Sequence, residues 1–143
     1  MLVEALLKTD ETKVVDYIAF NDFTISDIKR DSTDWIVLLS DFNQNNAYWK
    51  SKQQIQVIKL DMNLNQIWKY VSDSDQYPLN GLDIKVGENK YLFKAEIITG
   101  CHICLVVAQV ELSKDGTFKS VQHIQNQNGK IEFEKLPKIF GNP

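Results

Sequence analysis

Short segments of alternating apolar and polar residues follow one another along the chain, and the apolar spacing of an amphipathic helix is scarce. The segments are rich in Val, Ile, Phe, Tyr and Trp, and clusters of Asp, Asn, Gly and Ser separate them, which is typical of an all-β chain. The pattern predicts strands at residues 2–8, 13–19, 24–29, 34–41, 54–61, 66–71, 82–86, 90–98, 103–112, 117–124 and 130–134.

In two of the strand segments, the pattern of apolar residues also predicts which side chains are buried. Residues 35–39 are apolar on both faces of the pleat, so we expect a central strand that is covered on both sides. Tyr91 begins a segment in which apolar residues alternate with Leu92, Lys94 and Glu96, which indicates a strand with one buried face. The turns at 87–89 and 114–116 each hold a residue that tolerates positive φ, so both are predicted to close tight hairpins.

The chain also matches itself. Residues 7–18 align with 60–71 without a gap, and residues 112–121 align with the same segment after one deletion. Asp27 falls on Asp83 in this alignment, and Trp35 falls on Tyr91. The matches predict a repeat of about 53 residues within a single all-β domain. Its parts are two strands at 2–19, one unit at 24–71, a second unit at 82–124 and a closing strand at 130–134.

Each complete unit is predicted to be a four-strand antiparallel meander. The element Ile-Lys-Leu-Asp at 58–61, followed by a turn and Ile67-Trp68, resembles the blade repeat of bacterial β-propeller proteins. The resemblance implies a propeller-like arrangement, with Asn65 standing where the repeat leads us to expect glycine. Two stacked sheets in a sandwich, or a small barrel, are the alternative architectures for the same strands.

Composition places the chain among ordinary soluble domains. It has 143 residues, of which 43% are hydrophobic and 24% charged, so a core can form without metals or cross-links. No apolar run approaches the ~20 residues that cross a bilayer, and residues 1–4 lack a basic leader. We therefore expect a cytoplasmic protein that makes no contact with a membrane.

The charge pattern favours a basic protein partner over nucleic acid. The net charge is −3, and Arg30 is the only arginine among 16 basic residues, although arginine is the residue best suited to phosphate and base recognition. Residues 1–83 carry 13 acidic and eight basic side chains, so the first half of the chain is acidic. An acidic surface would steer a basic partner, whereas Asp in turns also serves to bond its own backbone.

Candidates for chemistry are few. Cys101 and Cys104 flank His102, but apolar residues typical of a strand follow them, and the sequence holds no second cysteine pair. We expect ordinary reduced thiols, and a redox role for the pair stays open. His102 and His123 form a possible acid–base pair without a recognised catalytic motif, so the prediction is a non-catalytic protein without cofactor or metal.

The predicted partner-binding surface combines acidic and aromatic residues, the composition of a hot spot that attracts a basic surface. Its members are Asp22, Asp27, Asp31, Asp34, Asp41, Tyr48, Trp49, Asp73, Asp75 and Tyr77. In type, the chain resembles the small bacterial immunity proteins, which implies that it blocks a nuclease-type toxin by covering the toxin's basic active site, as a monomer or small oligomer. The first alternative is a propeller-like scaffold that oligomerises, and the second is a small-ligand carrier or enzyme.

Overall fold

The computed structural model describes residues 3–10, 13–21, 23–41, 54–72, 77–98, 105–126 and 135–141, with side chains from all but 3–4, 7–10, 13–17, 21 and 126. This part of the chain forms ten β-strands and one short helix. The strands are β1 (Val3–Asp10), β2 (Lys13–Asn21), β3 (Phe23–Asp31), β4 (Asp34–Asp41), β5 (Ile55–Leu60), β6 (Gln66–Ser72), β7 (Leu79–Val86), β8 (Lys90–Ile97), β9 (Val106–Ser113) and β10 (Phe118–Asn126), and the helix is α1 (Leu136–Phe140).

The strands form three antiparallel sheets, in which neighbours in the sequence are neighbours in space. Sheet 1 is β1-β2, sheet 2 is β3-β4-β5-β6 and sheet 3 is β7-β8-β9-β10. The prediction of an all-β fold built from four-strand meanders is confirmed. None of the three sheets closes into a barrel, which removes that alternative for the described residues. The propeller-like arrangement stays a prediction, and the strand expected at 130–134 lies outside the described residues.

Sheet 2 is the middle layer, because both of its faces are apolar. Ile36 and Leu38 face sheet 3, whereas Val37 and Leu39 face sheet 1, and all four side chains are buried as the apolar run predicted. The larger core lies between sheets 2 and 3, where Phe93 of β8 is fully buried. The smaller core, between sheets 1 and 2, contains residues from β2, β4 and β5.

Strand β8 confirms the predicted alternation along its length. Tyr91, Phe93, Ala95 and Ile97 are buried against sheet 2, and the residues between them are half-buried on the opposite face of sheet 3. Helix α1 was not predicted. Its buried residues cover the larger core near the outer strands β6 and β10, and Tyr70 donates a hydrogen bond to the Phe140 carbonyl at 2.5 Å.

Short and long connections between strands lie at opposite ends of the sheets. The tight turns 32–33, 61–65, 87–89 and 114–117 of sheets 2 and 3 lie at one end, which we call the turn end. The longer connections begin and finish at the opposite end, the loop end, with their described flanks at Asp41, Gln54, Ser72, Tyr77, Ile98, Leu105 and Asn126. Sheets 2 and 3 point the same way, because Ser40 meets Gly81 near the loop end while Asp31 meets Tyr91 at the turn end.

Two turns differ from the sequence expectation. In the β5–β6 turn the left-handed residue is Leu64, with φ 65°, and not Asn65, because Leu64 packs its side chain onto the smaller core. The 87–89 turn closes its hairpin without positive φ. In the β9–β10 turn, Gly116 adopts φ 87°, and a Cβ there would lie 2.6 Å from the Trp68 ring. Gly116 is therefore required both by its backbone and by its neighbour.

We expect Gly116→Ala to destabilise the fold by about 2 to 4 kcal/mol, because a Cβ is strained at this φ and collides with the indole. Urea unfolding followed by circular dichroism measures the change. Gly87→Ala is the matched control in the neighbouring hairpin, since its φ is not left-handed, and it should cost less. Equal losses for the two variants would show that the Trp68 contact is unimportant.

Candidate functional site

A cluster of charged and aromatic residues joins sheets 2 and 3 at the turn end. Asp31, at the end of β3, accepts a hydrogen bond from the Tyr91 hydroxyl and a second from Lys114 Nζ at 2.9 Å. Lys59 of β5 lies with its Nζ 3.9 Å from the Asp34 carboxylate. The two acids are thus each paired with a cation, and we call Asp31, Asp34, Lys59, Tyr91 and Lys114 the interface cluster.

Aromatic rings hold the two ammonium groups of the interface cluster in place. Lys114 Nζ lies 4.2 Å from the centre of the Tyr91 ring, and Lys59 Nζ lies 5.4 Å from it. Trp68 packs beside the same ring at 5.9 Å between centroids and donates its Nε1–H to the Lys114 carbonyl at 2.9 Å. Cation–π contacts and hydrogen bonds therefore connect strands β3, β5, β6 and β8 to the β9–β10 turn.

The protonation states in the cluster follow from these contacts. The hydrogen bonds from Tyr91 and Lys114 lower the pKa of the Asp31 carboxyl below its usual value, and nearby Lys59 adds to the effect. Burial, and then the hydrogen bond to Asp31, raise the pKa of the Tyr91 hydroxyl above its usual value. At neutral pH, Asp31 is therefore ionised and Tyr91 keeps its proton, so the phenol is a donor and not a base.

The interface cluster is suited to joining the sheets rather than to chemistry. Tyr91 is fully buried, so a substrate cannot approach its hydroxyl without displacing the packing around it. Two acids and two cations leave the group neutral. Among the described residues, no group of three or more His, Cys, Asp or Glu side chains is placed to hold a metal ion. None of the helices among these residues has the length and apolar character needed to cross a membrane.

Side chains of sheet 2 also accept hydrogen bonds from backbone groups of β7, an edge strand of sheet 3. Asp27 accepts the backbone N–H of Ile84 at 2.9 Å, and its other oxygen accepts the N–H of Ile28 at 2.9 Å. Ser40 Oγ accepts the N–H of Gly81 at 2.7 Å and lies 2.6 Å from the Ser26 hydroxyl. Asp27, one of the predicted partner-binding acids, is thus a bridge between β3 and β7.

The predicted partner-binding residues divide between the two ends of the molecule. Asp31 and Asp34 lie at the turn end, whereas Asp41 and Tyr77 lie at the loop end. Strand β4 separates Asp34 from Asp41, which places the Cα atoms of these two residues about 23 Å apart. Asp41 is half-buried, and Tyr77 packs part of its ring on the larger core.

Five of the predicted residues lie outside the described part of the chain: Asp22, Tyr48, Trp49, Asp73 and Asp75. The described residues that flank them, from Asn21 and Phe23 to Asp41, Gln54, Ser72 and Tyr77, are all at the loop end. Cys101, His102 and Cys104 also lie outside the described residues, and the described residues that flank them, Ile98 and Leu105, are at the loop end. His123 is half-buried on β10.

Sequence reasoning missed Lys59, Tyr91 and Lys114 as partners of the predicted acids. One signal was present, because the alternation along β5 places Lys59 on the same face as buried Ile55 and Val57. A lysine at such a position needs a partner, since burying an unpaired charge is costly. The identity of that partner depends on how two sheets pack, which periodicity does not show.

We expect Asp31→Asn to destabilise the fold by about 1 to 3 kcal/mol at pH 7, because Lys114 and Tyr91 lose a charged acceptor. The folded-state pKa of Asp31 is depressed, so its stabilising effect is present above the unfolded pKa and is lost as pH falls through the folded value. Urea unfolding at pH 7 and pH 3 should therefore show the gap between wild type and variant narrowing in acid. Asp83→Asn, on a half-buried carboxylate of sheet 3, is the control and should stay within about 0.5 kcal/mol of wild type.

Tyr91→Phe keeps the ring against Trp68 and removes only the donor to Asp31, so we expect a loss of about 1 kcal/mol. Combined with Asp31→Asn, it should show a coupling energy above about 0.5 kcal/mol in a double-mutant cycle. Tyr70→Phe is the matched control, because Tyr70 donates to the Phe140 carbonyl instead. Additive losses in the Asp31–Tyr91 cycle would contradict the hydrogen bond.

Comparison of the chain with family models, curated proteins and solved structures found no match in any of the three.

Proposed function

We propose that this chain is a non-catalytic protein-binding module and that its loop end contacts a partner with a basic surface. In its most concrete form, the proposal is an immunity protein that neutralises a nuclease-type toxin by covering the basic active site of the toxin. The observation that carries it is the strand register, which brings the flanks of the acidic and aromatic segments to one end of the sheets.

The two ends of the molecule are suited to different roles. At the turn end, short hairpins close the sheets, and the acids Asp31 and Asp34 are already paired with lysines. At the loop end, Asp41 and Gln54 flank the segment of the sequence that contains Tyr48 and Trp49. Ser72 and Tyr77, at the same end, flank the segment that contains Asp73 and Asp75. Loops anchored on a rigid sheet are the usual place for recognition residues.

The composition of the loop end fits a basic protein partner. Tyr and Trp supply large contact areas at low cost in conformational entropy, and carboxylates speed the approach of a positive surface. Nuclease active sites must hold phosphate groups and are therefore rich in positive charge. Occlusion of such a site needs shape and charge complementarity but no chemistry.

The test begins with the chain as bait in an extract of its native host, followed by purification of the captured protein and calorimetric titration. We expect Asp73→Lys combined with Asp75→Lys to weaken binding at least about tenfold, because the substitutions reverse charges that face a basic surface. Binding by the wild-type chain should also weaken as salt rises. If the partner is a nuclease, inhibition of its activity should fall in parallel with affinity.

The matched control reverses two acids away from the loop end, Glu88→Lys in the β7–β8 turn and Asp83→Lys on sheet 3. These variants carry the same change in net charge and should bind within about twofold of wild type. Equal weakening by both pairs would show that total charge, not the loop end, determines affinity. Unchanged affinity in the Asp73 and Asp75 variant would overturn the assigned surface.

A further inference from the structure

The face of sheet 3 that points away from sheet 2 can be compared with the equivalent face of sheet 2, because the two sheets have the same strand pattern. Both sheets begin with a strand that carries a bulge at the same place, after Ile25 in β3 and after Gly81 in β7. Trp35 and Tyr91 take the same position in the next strand, pairing with Arg30 and Val86. The outer face of sheet 3 therefore corresponds to the face of sheet 2 that packs against sheet 3.

The central cross-strand rows of these two faces differ in polarity. In sheet 2 the row is Asp27, Leu38, Val57 and Tyr70, and in sheet 3 it is Asp83, Lys94, Gln109 and Gln122. The last three residues of the sheet 2 row are buried. In sheet 3, Lys94 and Gln109 are half-buried, and Gln122 is exposed. Each row begins with an aspartate, Asp27 in sheet 2 and Asp83 in sheet 3. The other three positions are buried Leu, Val and Tyr in sheet 2 and polar residues in sheet 3.

The neighbouring rows follow the same trend. Glu96 stands in sheet 3 where Ser40 stands in sheet 2, and Glu111 and Ser120 stand where Lys59 and Trp68 stand. Leu92 and Val107 keep an apolar side chain on the face, and of these Val107 is already buried. Leu82 and Ile124, on the edge strands of sheet 3, are exposed apolar side chains. Lys94, Glu96 and Glu111 are half-buried, and stacking another sheet here would remove the rest of each charged group from water. The desolvation of three charges outweighs the gain from the few aliphatic side chains that remain exposed on this sheet.

We infer that the outer face of sheet 3 is a terminating face, which ends the stack of sheets and prevents a second copy of the chain, or another β-meander, from packing on it. Polar outer faces end arrays of stacked repeats for the same reason. The inference does not depend on the proposed partner. It implies that a binding partner uses another surface, and that sheet-to-sheet oligomerisation through this face is blocked by Lys94, Gln109 and Gln122.

The test restores the apolar row in the full chain with Lys94→Leu, Gln109→Val and Gln122→Tyr together. Sedimentation velocity over a range of concentrations should show self-association at least about tenfold tighter than that of wild type. Far-ultraviolet circular dichroism should show that the β-structure is retained. A variant that folds and associates no more than wild type would overturn the inference.

Two further variants make the result specific to the face. Lys119→Leu with Glu88→Leu adds apolar side chains at exposed positions outside the row, and this variant should associate no more than wild type. Lys94→Glu with Gln109→Glu adds negative charge to the face and should leave the sedimentation of wild type unchanged. If wild type self-associates and this variant dissociates it, the face is an interface and the inference is wrong.

Discussion

The need to cover both faces of sheet 2 is the constraint on which the rest of this structure depends. Ile36, Val37, Leu38 and Leu39 occupy successive positions of β4, and the pleat sends alternate side chains to opposite faces. A sheet of this kind is stable only as a middle layer, so sheets 1 and 3 pack against it from opposite sides. Asp27 and Ser40 of sheet 2 accept hydrogen bonds from the backbone N–H groups of Ile84 and Gly81, and these bonds fix the position of β7 along sheet 2.

Local patterns predicted most of the strands because a strand's periodicity is contained in six to nine neighbouring residues. The alternation from Tyr91 to Ile97 and the apolar run at 36–39 specified which side chains are buried before any sheet was placed. The short helix α1 escaped prediction because five residues that include Pro137 carry too little periodicity to recognise. Its position depends on the gap it fills between the outer strands.

The interface cluster could not be predicted, because it is made of contacts between residues far apart in the chain. Asp31 and Lys114 are 83 residues apart, and Asp31 and Tyr91 are 60 apart. An acidic residue that will pair with a half-buried lysine and one that will stay in water look the same in sequence. Proximity in the chain predicts one surface for the acids at residues 22–41, whereas β4 places Asp34 and Asp41 at opposite ends of sheet 2.

The division between the ends of the sheets explains why proximity in sequence is a poor guide to a surface in a meander fold. Residues that follow one another along a strand lie about 3.3 Å further along at each step, so a surface collects residues from several connections and not from one segment. Asp41 and Tyr77 are 36 positions apart in the chain yet lie at the same end, because β4 and β6 both finish there. A partner that bound the proposed loop-end surface would therefore meet residues from separate parts of the chain, such as Asp41 and Tyr77. The hydrogen bonds at the turn end and those to β7 tie sheets 2 and 3 together, and a scaffold held in this way would lower the entropy lost if a partner bound the proposed surface.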